Sequence, residues 1–405
     1  DDSNEELAVA RDMRMPVVRR AEMLAELMRL KWAIAIAGTH GKTTTTSMVG
    51  SMLEAGGYDP TVINGGVINH YGATTRLGAS DWMVAEADES DGTFTKLPAT
   101  VAVVTNIDPE HMEHYGSFEA VRQAYYTLLD NLPFYGFAVL CADHAETRAL
   151  ADKLRDKRVI TYGYDADADI YAANIRADSA GQYFDVVLAG WLCPDGQARW
   201  LRDIFLPMPG AHNVQNACAA LAIAYELGMD DGQMLRGLGE FSGVKRRFTK
   251  TGNVNGVTII DDYAHHPVEI KCVLDAGRQS LTTTGGRLIA VMQPHRYSRL
   301  NDLMLDFSSA FDKADTVIVA DVYTAGEETI EGADKAHLAQ HIRDTGHDDV
   351  RELDNRDDLA PMIADIAGPG DMVILLGAGD ITKWANQLPG ELSALYNASE
   401  AGQAY

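Results

Sequence analysis

AGTHGKTTTTS, Ala37 to Ser47, is the stretch on which the reading of the whole chain turns. A short apolar run, Trp32 to Ala37, precedes it, and a Thr- and Met-rich segment continues to Glu54. Strand, glycine turn and helix are therefore predicted in succession. A glycine-rich loop at such a junction aims several backbone N–H groups at one point, and the helix N-terminus adds positive potential. That arrangement suits phosphate. Lys42 has the reach for β- and γ-phosphates, and Thr43 offers a hydroxyl to Mg²⁺. Gly38, Thr39, His40, Gly41 and Thr44 complete the predicted nucleotide loop. The full P-loop spacing asks for glycine at position 36, where Ile36 stands, so the loop is a shortened version.

Outward from this loop, β-type runs recur at Trp82–Ala85, Val101–Thr105 and Ala138–Cys141, with helical or loop stretches between them. Such alternation predicts a parallel sheet with helices on its faces. The stretch from Asp169 to Trp191 alternates like antiparallel strands and is expected to form a small side sheet. Gly210 opens a helix running through Asn213 to Leu227. Turn-rich GLGEFSGVKRR, Gly237 to Arg247, marks a domain boundary, beyond which the alternation restarts. Strands are expected at Val257–Ile260, Leu288–Met292, Thr316–Ala320 and Met372–Leu376. Helices are expected from Pro267, up to Ala314 and from Ile381, and the last dozen residues are expected to fray. The fold class is α/β: a central P-loop-type mononucleotide-binding domain on a mostly parallel sheet, plus a C-terminal Rossmann-like α/β domain.

Acidic and histidine clusters follow the predicted strands. Glu86-Ala87-Asp88-Glu89-Ser90-Asp91, Asn106-Ile107-Asp108-Pro109-Glu110-His111 and His114 all stand where a parallel sheet collects its ligands. Phosphates carried by Mg²⁺ need hard oxygen ligands, which carboxylates supply. An acidic run alone is more often a solvated loop; beside a phosphate loop in the same sheet, the ligand reading prevails. Asn213 and Asn216 lie three apart and face one side of their helix. Amides suit adenine, but Asn at that place equally suits a helix cap, and spacing does not separate the two. DDYAHHP (Asp261 to Pro267) and QPHRYSR (Gln293 to Arg299) each follow a strand of the second unit. Two such clusters of Arg, His, Tyr and Asp at equivalent strand ends favour a ligand site over isolated structural histidines. Gly377-Ala378-Gly379 is no dinucleotide fingerprint, because Thr382 stands where glycine or alanine is required.

The bulk numbers lead us to expect a cytosolic protein. Among 405 residues, 46% are hydrophobic and 23% charged, the balance of a folded protein with two or three domains. A net charge of −25 disfavours nucleic acid as a partner. Cys141, Cys193, Cys218 and Cys272 are scattered without a CxxC or zinc spacing, as expected in a reducing compartment. No apolar run approaches the ~20 residues that span a bilayer, and DDSNEE at the start is not a signal peptide.

GTHGKTTT, EADESD, TNIDPEHMEHYG, GAHNVQN, GVKRRF, DDYAHHP and QPHRYSR, in this order over nearly the whole chain, resemble the Mur ligases of peptidoglycan synthesis. The DNPR motif of the diaminopimelate-adding members is absent, and Tyr263-Ala264-His265-His266 stands where the D-glutamate-adding members carry a SKATN-like segment. The resemblance implies an ATP-dependent ligase that joins L-alanine to UDP-N-acetylmuramic acid through an acyl phosphate. A ligase adding a recycled tripeptide is the runner-up, and a phosphate-loop switch or motor is the alternative of another class. It implies that Lys42 contacts phosphate, that Thr43 and Glu86 hold one Mg²⁺, and that Glu86 and His111 hold a second. It further assigns adenine to Asn213 and Asn216, phosphate to Arg247, and ribose to Asp262. Tyr263, His265, Arg296 and Arg299 would line the L-alanine pocket. No lysine lies between Lys96 and Lys153, so a carbamylated lysine at the second metal is not expected. By the same resemblance, residues 1–30 are the remnant of a UDP-binding domain, 31–243 the ATP-binding domain and 244–405 the amino-acid-binding domain. Ligation by this chain in isolation is expected to be weak, and a monomer or weak homodimer is expected.

Overall fold

The computed structural model describes residues 4–178, 180–282 and 285–403, with side chains to residue 398. Its first sheet has ten strands: β1 (Trp32–Ala37), β2 (Thr61–Ile68), β3 (Ala73–Arg76), β4 (Trp82–Glu86), β5 (Val101–Val104), β6 (Phe137–Cys141), β7 (Arg158–Gly163), β8 (Ile170–Ala177), β9 (Gln182–Leu188) and β10 (Arg199–Leu206). Their spatial order is β10-β9-β8-β7-β6-β5-β1-β4-β2-β3. The alternation in WAIAIA builds the centre of this sheet. Ile34 and Ile36 enter one core with Met48, Val84 and Val103. Ala33, Ala35 and Ala37 enter the opposite one with Ala85, Ala102 and Val104. Small residues on that second face leave room for Phe94 and Tyr125, whose rings meet edge-on at 5.1 Å.

β1 pairs in parallel with β4 on one side and β5 on the other. The chain leaves β1 for β2, returns through β4, then crosses to β5, so connections diverge at the C-terminal end of β1. That divergence opens a crevice, and the phosphate loop sits in it.

The stretch predicted as a separate side sheet is continuous with the main one. β8 pairs in parallel with β7 through Tyr162↔Ile170 and Gly163↔Tyr171, and then antiparallel with β9. β2, β3, β7 and β10 were not expected from the sequence: β2 carries Asn64-Gly65-Gly66 in mid-strand, and β3 is a short exposed edge.

The second sheet has six strands: β11 (Thr249–Val254), β12 (Val257–Asp262), β13 (Leu288–Met292), β14 (Thr316–Val319), β15 (Val350–Glu352) and β16 (Met372–Leu376). Their order is β11-β12-β16-β13-β14-β15, parallel apart from β11. The apolar runs of β13 and β16 have the predicted bounds. Gly237–Gly239, expected as turn, closes the helix Asp231–Gly239 instead. The helix expected to reach Ala314 breaks into Tyr297–Asp302 and Met304–Ser308. The predicted frayed tail is helical as far as Gln403, and residues 404 and 405 lie outside the described residues.

The link between the two units is strapped to the first sheet. Asn69 N–H donates to Gly243 O and Lys245 N–H to Val67 O, with Ile68 bridging Val244. Arg246 (φ 61°) and Phe248 (φ 50°) then turn through the left-handed region, and Phe248 packs on the second core.

Candidate active site

The phosphate loop owes its shape to two glycines and to the segment after β5. Gly38 has φ 130° and Gly41 φ 82°, and Gly41 caps the helix Lys42–Ala55. Thr39 N–H donates to Asn106 O at 3.1 Å and His40 N–H to Asn106 Oδ1 at 2.7 Å. Thr105 Oγ1 donates back to His40 O at 2.6 Å. The first N–H groups of the helix lack intrahelical partners and face the loop's concavity.

Lys42 Nζ donates to Gly38 O, Thr39 O and Glu89, at 2.6, 3.0 and 2.9 Å. Burial opposes its charge, but Glu89, Glu86 and Asp88 outweigh burial and hold its pKa above the ordinary value. Thr43 Oγ1 donates to Glu86 Oε1 at 3.1 Å, and Glu86 Oε2 accepts from Gly65 N–H at 2.7 Å. Thr43 and Glu86 thus meet as the sequence led us to expect. His111, however, clusters with Glu89 and Glu110, not with Glu86: one ligand atom from each lies within 4.8 Å of the others. Two carboxylates and an imidazole converging beside Lys42 form a donor set suited to a divalent cation.

Two cavities meet across the cleft between the sheets. One, of about 250 Å³, is lined by Gly41, Asn213, Asn216 and Asp262, with Met208 and Val273 as apolar walls. Asn213 is not the helix cap, which is Gly210; its Nδ2 donates to Pro209 O at 2.7 Å and its Oδ1 faces Asn216 Nδ2 at 3.5 Å. Amides over apolar walls make a site for a flat heterocycle. Asp262 is buried and accepts from Phe248 N–H and Ala264 N–H; burial pushes its pKa up to about 6.

The other cavity, of about 690 Å³, joins Lys42, Thr43, Glu86 and His111 from the first unit to Tyr263, His265 and Arg299 from the second. Arg247 and Glu269 line both cavities. Arg247 lies 5.3 Å from the Tyr263 ring centroid. Arg299 pairs with Glu110 at 3.8 Å across the cleft.

Arg296 is set apart from its predicted companions. It precedes the helix Tyr297–Asp302 with φ 73°, its N–H donates to Tyr323 O, and it is not among the residues lining either cavity. Glu89 and Glu110 stood in the clusters read as ligand-collecting but were given no role, and Glu269 was missed. Glu89 stood in the quoted acidic run, three residues after Glu86. Glu269, three residues after His266, carries only the spacing of a capping box, which it does form.

Residues 36–224 match the Mur ligase middle domain and residues 246–379 the Mur ligase glutamate ligase domain. The UDP-N-acetylmuramate–L-alanine ligase of Brucella ovis is 56% identical over 391 residues, 96% of this chain and 82% of that protein. Its counterpart from Maricaulis maris is 59% identical over 392 residues, 97% of this chain and 82% of that protein. Among solved structures, the UDP-N-acetylmuramate-alanine ligase of Thermotoga maritima superposes with TM-score 0.79 at 27% identity, covering 98% of this chain and 84% of that one. The murein peptide ligase of Psychrobacter arcticus shares the fold, with TM-score 0.66 at 22% identity over 97% of this chain and 84% of that one. With its phosphate loop, carboxylate cluster and two-sheet cleft, this chain belongs to the Mur ligase family.

Proposed function

We propose that the chain is an ATP-dependent ligase joining L-alanine to the carboxylate of UDP-N-acetylmuramic acid, a cytoplasmic step of peptidoglycan precursor synthesis. One observation carries this reading. A single cavity is lined by the phosphate-loop residues Lys42 and Thr43 and by Tyr263, His265 and Arg299 of the second unit. A switch or motor needs the first set and leaves the second without a role.

In the reaction, the muramyl carboxylate oxygen attacks the γ-phosphorus of ATP, the bond to the β-phosphate oxygen breaks, and an acyl phosphate and ADP result. The L-alanine amine then attacks the acyl carbon, and the tetrahedral intermediate loses a proton from nitrogen and expels phosphate. Catalysis of such a transfer is mostly positioning and charge neutralisation. Lys42 faces the phosphates, with its charge secured by the carboxylates around it. Asn213 and Asn216 take adenine, Asp262 the ribose and Arg247 a phosphate. Thr43 and Glu86 would hold one Mg²⁺, and His111 with Glu89 and Glu110 a second; when bound, these ions offset phosphate and carboxylate charge. Arg299 grips the carboxylate of L-alanine, and Tyr263 and His265 close its pocket.

The test is ATP-dependent phosphate release by the full-length protein with UDP-N-acetylmuramic acid. L-alanine, other amino acids and the wall tripeptide are offered separately. Release that requires L-alanine is expected. Release with the tripeptide alone, or indifferent to any acceptor, overturns the reading.

A further inference from the structure

His40 belongs to the phosphate loop by sequence, yet its side chain reaches across the cleft. Its Nε2 lies 3.2 Å from Asp108 Oδ2, which follows β5 in the first unit. Its Nδ1 lies 3.4 Å from Glu269 Oε1, on the helix Pro267–Ser280 of the second unit. Each carboxylate is braced within its own unit by its other oxygen. Asp108 Oδ1 faces His144 Nε2 at 3.3 Å. Glu269 Oε2 accepts from His265 N–H at 3.1 Å and His266 N–H at 3.3 Å. The His40 backbone is pinned as well, through Asn106 and Thr105. The ring meets Asp108 by charge, without hydrogen-bond geometry at Nε2, and Glu269 by a hydrogen bond at Nδ1, so the imidazole is a strut between two fixed points. Its side chain is only 12% exposed and that of Glu269 14%, so solvent screens the contact little.

The strut joins two functional parts. At one end is the backbone that shapes the phosphate loop. At the other is Glu269, whose accepted N–H belongs to His265, a residue lining the cavity beside Arg299. Arg299 with Glu110, a second charged contact across the cleft among the described residues, is longer at 3.8 Å.

We propose that His40 and Glu269 form an interdomain clasp, a pair of positioning residues that holds the phosphate loop against the L-alanine pocket. By keeping the cleft shut between the two half-reactions, the clasp shields the acyl phosphate from water. This rests on the ligase reading given above. When the clasp is lost, the acyl phosphate forms in a cleft that opens too readily. Water then attacks its carbonyl in place of the amine, regenerating the carboxylate and releasing phosphate without product.

The experiment compares full-length wild type with His40→Ala, Glu269→Gln and the double variant, with ATP, Mg²⁺, UDP-N-acetylmuramic acid and L-alanine. Phosphate released and ligated product formed are measured in the same samples. Wild type gives one phosphate per product. Each single variant is expected to lower kcat on the order of 10- to 100-fold, the scale of an ångström-level misplacement, and to release two or more phosphates per product. The double variant is expected to be no slower than the slower single, because both substitutions break one contact. Glu269→Gln keeps a carbonyl oxygen for the helix cap, and His40→Asn replaces His40→Ala should that variant not fold. One phosphate per product in every variant, or penalties that multiply in the double, would overturn the clasp. Wild type lacking L-alanine-dependent release would instead sink the ligase reading itself.

Discussion

Gly38→Ala tests how tightly the phosphate loop is built. A Cβ at Gly38 would stand 2.0 Å from Thr105 Oγ1 and 2.9 Å from Thr105 N, at a backbone φ of 130°. Holding a non-glycine residue there costs about 1–3 kcal/mol. Relief by moving Thr105 breaks its bond to His40 O, worth about 1 kcal/mol, and disturbs Thr105 N–H to Ala37 O at the end of β1. Residual overpacking adds about 1–3 kcal/mol. The sum is roughly 5 kcal/mol, and with a urea slope of about 2–3 kcal/mol/M the unfolding midpoint falls by roughly 2 M. Tryptophan fluorescence reads this in the right place, since Trp32, Trp82, Trp191 and Trp200 all belong to the first sheet and its loops, with Trp384 alone in the second unit. Adding Thr105→Ala removes the 2.0 Å contact but neither the backbone one nor the loss of the bond to His40 O, so only the overpacking part, about 1–3 kcal/mol, should return while turnover stays low. A midpoint shift under ~0.3 M with wild-type kcat would refute the reasoning.

Lys42→Met should abolish phosphate release and destabilise by about 3 kcal/mol, because Glu89 is left buried without its cation; adding Glu89→Gln should restore the urea midpoint but not turnover. Arg299→Ala should raise the KM for L-alanine at least tenfold in steady-state assays, while Arg296→Ala, whose residue stands outside both cavities, should change it by no more than about twofold. His40 is faced by Asp108, Glu269, Glu110 and the His266 ring, and although burial opposes its charge, the carboxylates raise its pKa from 6.5 to about 9. A raised folded-state pKa gives stability that is complete below pH 6.5 and disappears as pH climbs through 9. The urea-derived gap between wild type and His40→Ala should therefore narrow by about 3 kcal/mol over that window, and a gap that stays constant would show that the imidazole is not charged.

What could be read from the sequence is what short-range physics dictates. Gly38, Gly41, Lys42 and Thr43 were legible because a phosphate loop needs particular backbone torsions and donors within a few residues of one another. β13 and β16 were legible because strands buried on both faces are uninterrupted apolar runs. Where local signals conflict with long-range pairing, the tertiary structure decided. β2 carries Asn64-Gly65-Gly66 in mid-strand and is held by β4 and β3 on its flanks. β8 joins the main sheet through two residue pairs with β7 that no alternation pattern announces. The site divides in the same way. Thr43 with Glu86 follows from adjacent strands of one sheet, but Glu89 beside His111, and Glu269 against His40 across 229 positions, depend on how two separate sheets face each other. Arg296 and Arg299 look equivalent in QPHRYSR; only a positive φ at Arg296 and its bond to Tyr323 divide them, placing one at the cavity and the other away from it.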